Sequence, residues 1–125
     1  MAQINIIHFT PITEAKNREL SLIAREIAAK EVHGLGKTEI QPDSVTIIVI
    51  PVDRTASLSG ADTEVQVLVS GNNWPSNAAH QPANFAEAKI HFDKMAQKFR
   101  EALTRKSKRK VYVWVTPFTA SGWAQ

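Results

Sequence analysis

Val45-Thr46-Ile47-Ile48-Val49-Ile50-Pro51, residues 45–51, and Val111-Tyr112-Val113-Trp114-Val115-Thr116-Pro117, residues 111–117, decide the fold. Each is a β-rich apolar run that stops on a proline, which cannot donate to a sheet ladder. The segments that follow also match, Thr55-Ala56-Ser57 in one half and Thr119-Ala120-Ser121 in the other. A similarity recurring at a period of about sixty residues marks a duplicated supersecondary unit. The near-continuous apolar character of 45–50 reads as a strand covered on both faces.

Working outward, Ile4, Ile6 and His8 alternate with Asn5, Ile7 and Phe9 until Thr10-Pro11 ends the run, which reads as the first strand. Thr13 is placed to cap a helix, and Leu20, Ile23, Ala24, Ile27 and Ala28 fall on one face at three- and four-residue spacings. That helix is expected to end near Gly34. In the second half Val65–Val69 is a strand, and a helix from about Asn84 carries Ala88, Phe92, Met95, Phe99 and Leu103 on one stripe. The prediction is a single α/β (α+β) domain over 1–125 made of two β-α-β repeats, about 1–62 and 63–125. Right-handed crossovers place two helices on one face of a four-stranded sheet. The other face, with Tyr112 and Trp114 on it, then needs a cover, and subunit association supplies one economically.

Composition narrows the chemistry. The chain has no cysteine, so disulfides, thiolate nucleophiles and cysteine-bound metals are excluded. His8, His33, His80 and His91 have no metal-ligand spacing, and Gly34-Leu35-Gly36-Lys37 follows a helix instead of joining a strand to one. No cofactor is expected. His8 shares a strand face with Ile4 and Ile6 and reads as a hydrogen-bonded core or interface histidine. No run reaches the roughly 18 apolar residues of a membrane span and no basic leader precedes the first strand, so a cytoplasmic protein is expected.

The net charge of +3 is divided unevenly: residues 1–62 hold six Lys/Arg and eight Asp/Glu, residues 63–125 nine and four. Most of the excess lies in Arg105-Lys106-Ser107-Lys108-Arg109-Lys110, read as solvated cations complementing a helix end. No aromatic residue interleaves this run, so nucleic acid is not an expected partner. The stretch Ser70–Pro82 exceeds what joining a strand to a helix needs, and it offers Trp74 for stacking and His80 for proton transfer.

Taken together, Ala2-Gln3-Ile4-Asn5-Ile6-Ile7 before a helix capped at Thr13, Asp43-Ser44-Val45-Thr46-Ile47-Ile48-Val49, the repetition of both, and the tail Ser121-Gly122-Trp123-Ala124 resemble the tautomerase superfamily. The likeness spans nearly the whole chain and is closest to the fused, two-repeat relatives of 4-oxalocrotonate tautomerase. It implies a homotrimer acting on a small carbonyl or enol acid through an N-terminal proline. The matching position here is Ala2, whose amine, once Met1 is removed, would be the base. The family arginine before the first helix matches Ile12. The arginine early in the second strand matches Thr46 and, in the second repeat, Tyr112. The tail aromatic matches Trp123. Trp123, Arg54, Trp74, Tyr112 and His80 are therefore the expected substrate-binding residues, with Arg54 as a replacement cation. The alternative expectation is a catalytically inactive, oligomeric binding protein on the same scaffold.

Overall fold

A computed structural model describes residues 2–35, 45–52, 59–70 and 82–118. Its elements follow the order β1 (Ala2–His8), α1 (Glu14–Leu35), β2 (Val45–Pro51), β3 (Thr63–Ser70), α2 (Pro82–Ser107) and β4 (Val111–Phe118). The strands form one sheet in the order β2-β1-β3-β4. β1 and β2 pair in parallel, as do β3 and β4, so each repeat is the expected β-α-β unit. The repeats join through an antiparallel β1–β3 pair at the centre, with Ala2 opposite Val69 and His8 opposite Thr63.

The period-2 alternation of strands sorts the side chains onto two faces. Ile4, Ile6, Val45, Val65, Val67, Val69 and Val111 are buried against the helices. Leu20, Ala24 and Ala28 from α1 meet Phe92, Met95, Phe99 and Leu103 from α2 in the same core. These are the stripes expected from the sequence; Ala88 lies outside the residues whose side chains are described.

Local chemistry sets the helix ends. Thr13 caps α1, its Oγ1 accepting from Lys16 N at 3.2 Å and its carbonyl from Asn17 N at 2.9 Å. Glu14 in the first turn complements the dipole. α2 begins at Pro82, two residues before the expected Asn84, because proline suits a first helical position where no N–H partner is needed. It ends where Lys108 turns left-handed at φ 59° and donates N–H to the Thr104 carbonyl at 2.8 Å.

The basic cluster departs from the solvated reading at one residue. Arg109 folds back across the junction of the repeats: Nε donates to Thr63 Oγ1 at 3.0 Å and Nη1 to the Pro11 carbonyl at 3.0 Å. Nη2 reaches the carbonyls of Thr10 at 2.9 Å and Asp62 at 3.1 Å, and Thr10 Oγ1 at 2.7 Å. Asp62 closes the junction, its carbonyl accepting from Phe9 N and its side chain from Lys110 N. A planar guanidinium has the fork of donors this convergence of oxygens needs.

The second face of the sheet is open in the single chain. Three transverse rows cross it: Thr46, Gln3, Leu68, Thr116; then Ile48, Asn5, Gln66, Trp114; then Ile50, Ile7, Glu64, Tyr112. Ile48 and Ile50 are exposed and Trp114 is 60% exposed, so among the described residues nothing supplies the second cover that strand 45–50 calls for.

Arg109→Lys should destabilise the fold by about 2–4 kcal/mol in urea unfolding, because a single ammonium cannot replace the fork and leaves several oxygens unpaired. A loss no greater than that of Arg105→Lys would contradict the clamp.

Candidate functional site

Two places on this scaffold could carry chemistry, and they lie at opposite ends of β1. At the first, residue 2 opens a central strand with Val45 and Val69 as its pairing partners, both with buried side chains. Of the residues that the sequence assigned to a site there, Arg54, Trp74, His80 and Trp123 lie outside the described residues. Ala2 is described as backbone only.

Tyr112 is on the open face, half-exposed, with its hydroxyl close to Gly60 and Lys110 Nζ 5.5 Å from its ring centroid. It belongs to the row of Ile7. Ile7 is roughly 17 Å along β1 from Ala2 at about 3.3 Å per residue, and two strand spacings of about 4.8 Å separate β1 from β4. Within one chain Tyr112 and residue 2 cannot touch the same small molecule. Thr46 is on the same open face nearer residue 2, and Ile12 is half-buried against the core at the other end of β1.

The second place is a cavity of about 520 Å³ where the ends of β1 and β2 meet the start of α1. Its apolar walls come from Phe9, Pro11, Ile12, Val49, Pro51 and Val52. The polar groups on it are His8, Thr10, Glu14 and Asn17.

His8 is 5% exposed and bonded through both ring nitrogens, Nδ1 to Thr63 Oγ1 at 3.0 Å and Nε2 to Asn17 Oδ1 at 2.8 Å. Asn17 Oδ1 can only accept, so His8 Nε2 carries a hydrogen and donates to it. Burial favours the neutral imidazole, which leaves Nδ1 as the acceptor, and Thr63, whose Oγ1 also accepts from Arg109, gives Nδ1 its hydrogen. Burial holds the His8 pKa below the ordinary 6.5, and the charge of Arg109 pushes the same way against the Asn17 hydrogen bond. The core histidine expected from its strand face is thus present. Asn17 and Thr63, which build the chain with it, carry no sequence signal beyond polar residues facing a buried histidine.

Among the described residues no group of His, Asp and Glu is arranged to hold a metal ion, and no helix is long and apolar enough to cross a membrane. No family model and no curated protein matches the chain. Solved structures do. A native fused 4-OT superposes with a TM-score of 0.67 at 7% identity, covering 98% of this chain and 91% of the other. A macrophage migration inhibitory factor-like protein from Entamoeba histolytica gives 0.64 at 12%, covering 99% and 94%. A further fused 4-OT, described as an asymmetric trimer, gives 0.65 at 8%, covering 98% and 91%. The fold is tautomerase-like.

On the tautomerase-like frame, the head of β1 is where the resemblance puts a base, whereas the His8 cavity lies at the tail of that strand.

The buried histidine makes stability depend on pH. With its folded pKa below 6.5, the unfolded chain takes up the proton first, so His8 contributes stability fully above about pH 6.5 that is lost as pH falls through the folded value. Melting temperature should fall more steeply from pH 7.5 to 5.0 in the wild type than in His8→Gln. Parallel curves would remove His8 as the cause.

Proposed function

We propose that the protein is a homotrimeric, tautomerase-like enzyme in which the N-terminal amine at Ala2, after loss of Met1, acts as base on a small keto or enol acid. The observation that carries this reading is the location of residue 2. It heads a central strand between buried Val45 and Val69, a setting that would partly desolvate an amine. Desolvation disfavours the ammonium and lowers its pKa from the ordinary 7.7–8.0 or so, leaving more free base at neutral pH. The neutral amine removes a proton from carbon next to the keto group, and the ammonium so formed returns it to the enolate. Trp123 is proposed as the pocket wall, Arg54 as the cation for the carboxylate, and Trp74 and His80 as further contacts from the second-repeat loop.

The trimer follows from the open face. Ile48 and Ile50 on the β2 edge and Tyr112 and Trp114 on the β4 edge are exposed together, and among the described residues neither edge strand has a partner on its outer side. Joining the β4 edge of one chain to the β2 edge of the next covers both sets, and a ring of three matches the trimer described for a fused 4-OT. In that ring Tyr112 serves a neighbour's residue 2, which agrees with their separation within one chain.

A second reading, a binding protein that has lost the reaction, is favoured by one observation. Ile12, the match to a family arginine, packs against the core and brings no charge.

Enol-to-keto conversion of phenylpyruvate decides between the two. Intact mass should show Met1 absent, and a variant that retains Met1 should lose roughly 10²-fold or more in kcat/KM, the scale of a general base. Equal activity with and without a free Ala2 amine would reject the enzyme reading. For the assembly, Trp114→Glu should shift the protein from trimer to monomer in sedimentation equilibrium while the circular dichroism stays native.

A further inference from the structure

The duplication supplies two strand heads per chain. Ala2 heads β1, and Thr63, its counterpart in the second repeat, heads β3. Antiparallel pairing sets Thr63 opposite His8, so the head of β3 adjoins the cavity at the tail of β1. Thr63 stands in mid-chain, and its N–H is bonded to the Lys110 carbonyl at 3.2 Å. The second strand head therefore has a cavity beside it and no amine.

What the cavity recognises is set by its polar groups. Arg109, the nearest cation of the junction, directs four of its five N–H donors at Thr10, Pro11, Asp62 and Thr63, so it offers little to an anion. The only ionised group on the wall among the described residues is Glu14, which disfavours carboxylates. Both His8 nitrogens are occupied, and the Thr10 hydroxyl donates to Asp62 Oδ1 at 3.2 Å. Asn17 is left. Its Oδ1 is held by His8, its backbone N–H by the Thr13 carbonyl and its backbone carbonyl by Ser21 Oγ. Among the described residues its Nδ2 has no acceptor, and the residue lines the cavity. With its Oδ1 taken by His8, Asn17 keeps its Nδ2 hydrogens as the donors at the cavity.

We propose that this cavity is a second binding site, selective for a small uncharged carbonyl compound whose apolar body rests on Ile12 and Val49 and whose oxygen accepts from the Asn17 amide. A half-open apolar cleft with one amide donor on its wall orients such a ligand, and the 520 Å³ volume is sufficient for a one- or two-ring molecule. The proposal does not depend on activity at Ala2.

Acetophenone, benzoate and benzylamine share a ring and differ in charge, so they test the class directly. In NMR titrations of the full-length protein, acetophenone should saturably shift the Asn17 side-chain amide and the backbone signals of Ile12 and Val52; benzoate and benzylamine should not. Asn17→Asp keeps the acceptor for His8 and removes the donor, and should weaken acetophenone roughly fivefold. Ile12→Trp fills the cavity and should abolish binding, while retention of Met1 should leave affinity unchanged. Failure of acetophenone to saturate, tighter binding of either charged probe, or undiminished affinity in Ile12→Trp would each overturn the proposal.

Discussion

The antiparallel seam between β1 and β3 is the interaction on which the other features rest. A lone β-α-β unit has one helix and two strands, too little to enclose a core. Pairing β1 with β3 puts Ile4 opposite Val67 and Ile6 opposite Val65, all buried, so one core is built from both repeats. Arg109 pins the end of this seam, because its five hydrogen bonds converge on residues of the β1–α1 connection and the start of β3. The same guanidinium holds the Thr63 hydroxyl that meets His8 Nδ1 beside the cavity. Structural stability and the polarity of the cavity thus share one origin.

Much of the architecture was legible because it rests on periodicity. The stripe Phe92, Met95, Phe99, Leu103 and the alternation in 63–69 and 111–115 are determined by the geometry of helix and strand, and they fold as read. The antiparallel joining of the repeats was not legible, since pairing between repeats depends on backbone edges that have no side-chain signature. Arg109 illustrates the other limit. Within Arg105–Lys110 it is one cation among five, and only the left-handed turn at Lys108 directs it inward. His8 could be read because a histidine sharing a face with Ile4 and Ile6 must be buried and therefore bonded. Its partners come from Asn17 and Thr63, at sequence distances that no local pattern links.

The open face carries a separate constraint. Its edge strands display Ile48, Ile50, Tyr112 and Trp114 beside Thr46 and Thr116, while the central strands display Gln3, Asn5, Glu64 and Gln66 beside Ile7 and Leu68, with Gln3 Nε2 donating to Asn5 Oδ1 at 3.0 Å. A flat partner laid across such a face would bury the polar middle at a cost of a few kcal/mol per unsatisfied group. Contact confined to the edges avoids that cost.

Duplication also explains why the two ends of β1 have different chemistry. In a symmetric pair of separate units each strand head would be a chain terminus with an amine. Joining them in one chain leaves only the first head able to present one, and turns the second into a peptide bond. Selection on the second head then acts on binding and stability alone, and the residues found there agree: Thr63 serves as a relay, Ile12 as a wall and Arg109 as a clamp. None of these roles needs a titrating group at neutral pH, and His8, the imidazole bonded to Thr63 and Asn17, is held neutral by burial and by Arg109. The asymmetry between the strand heads follows from covalent connectivity, before any particular side chain is considered.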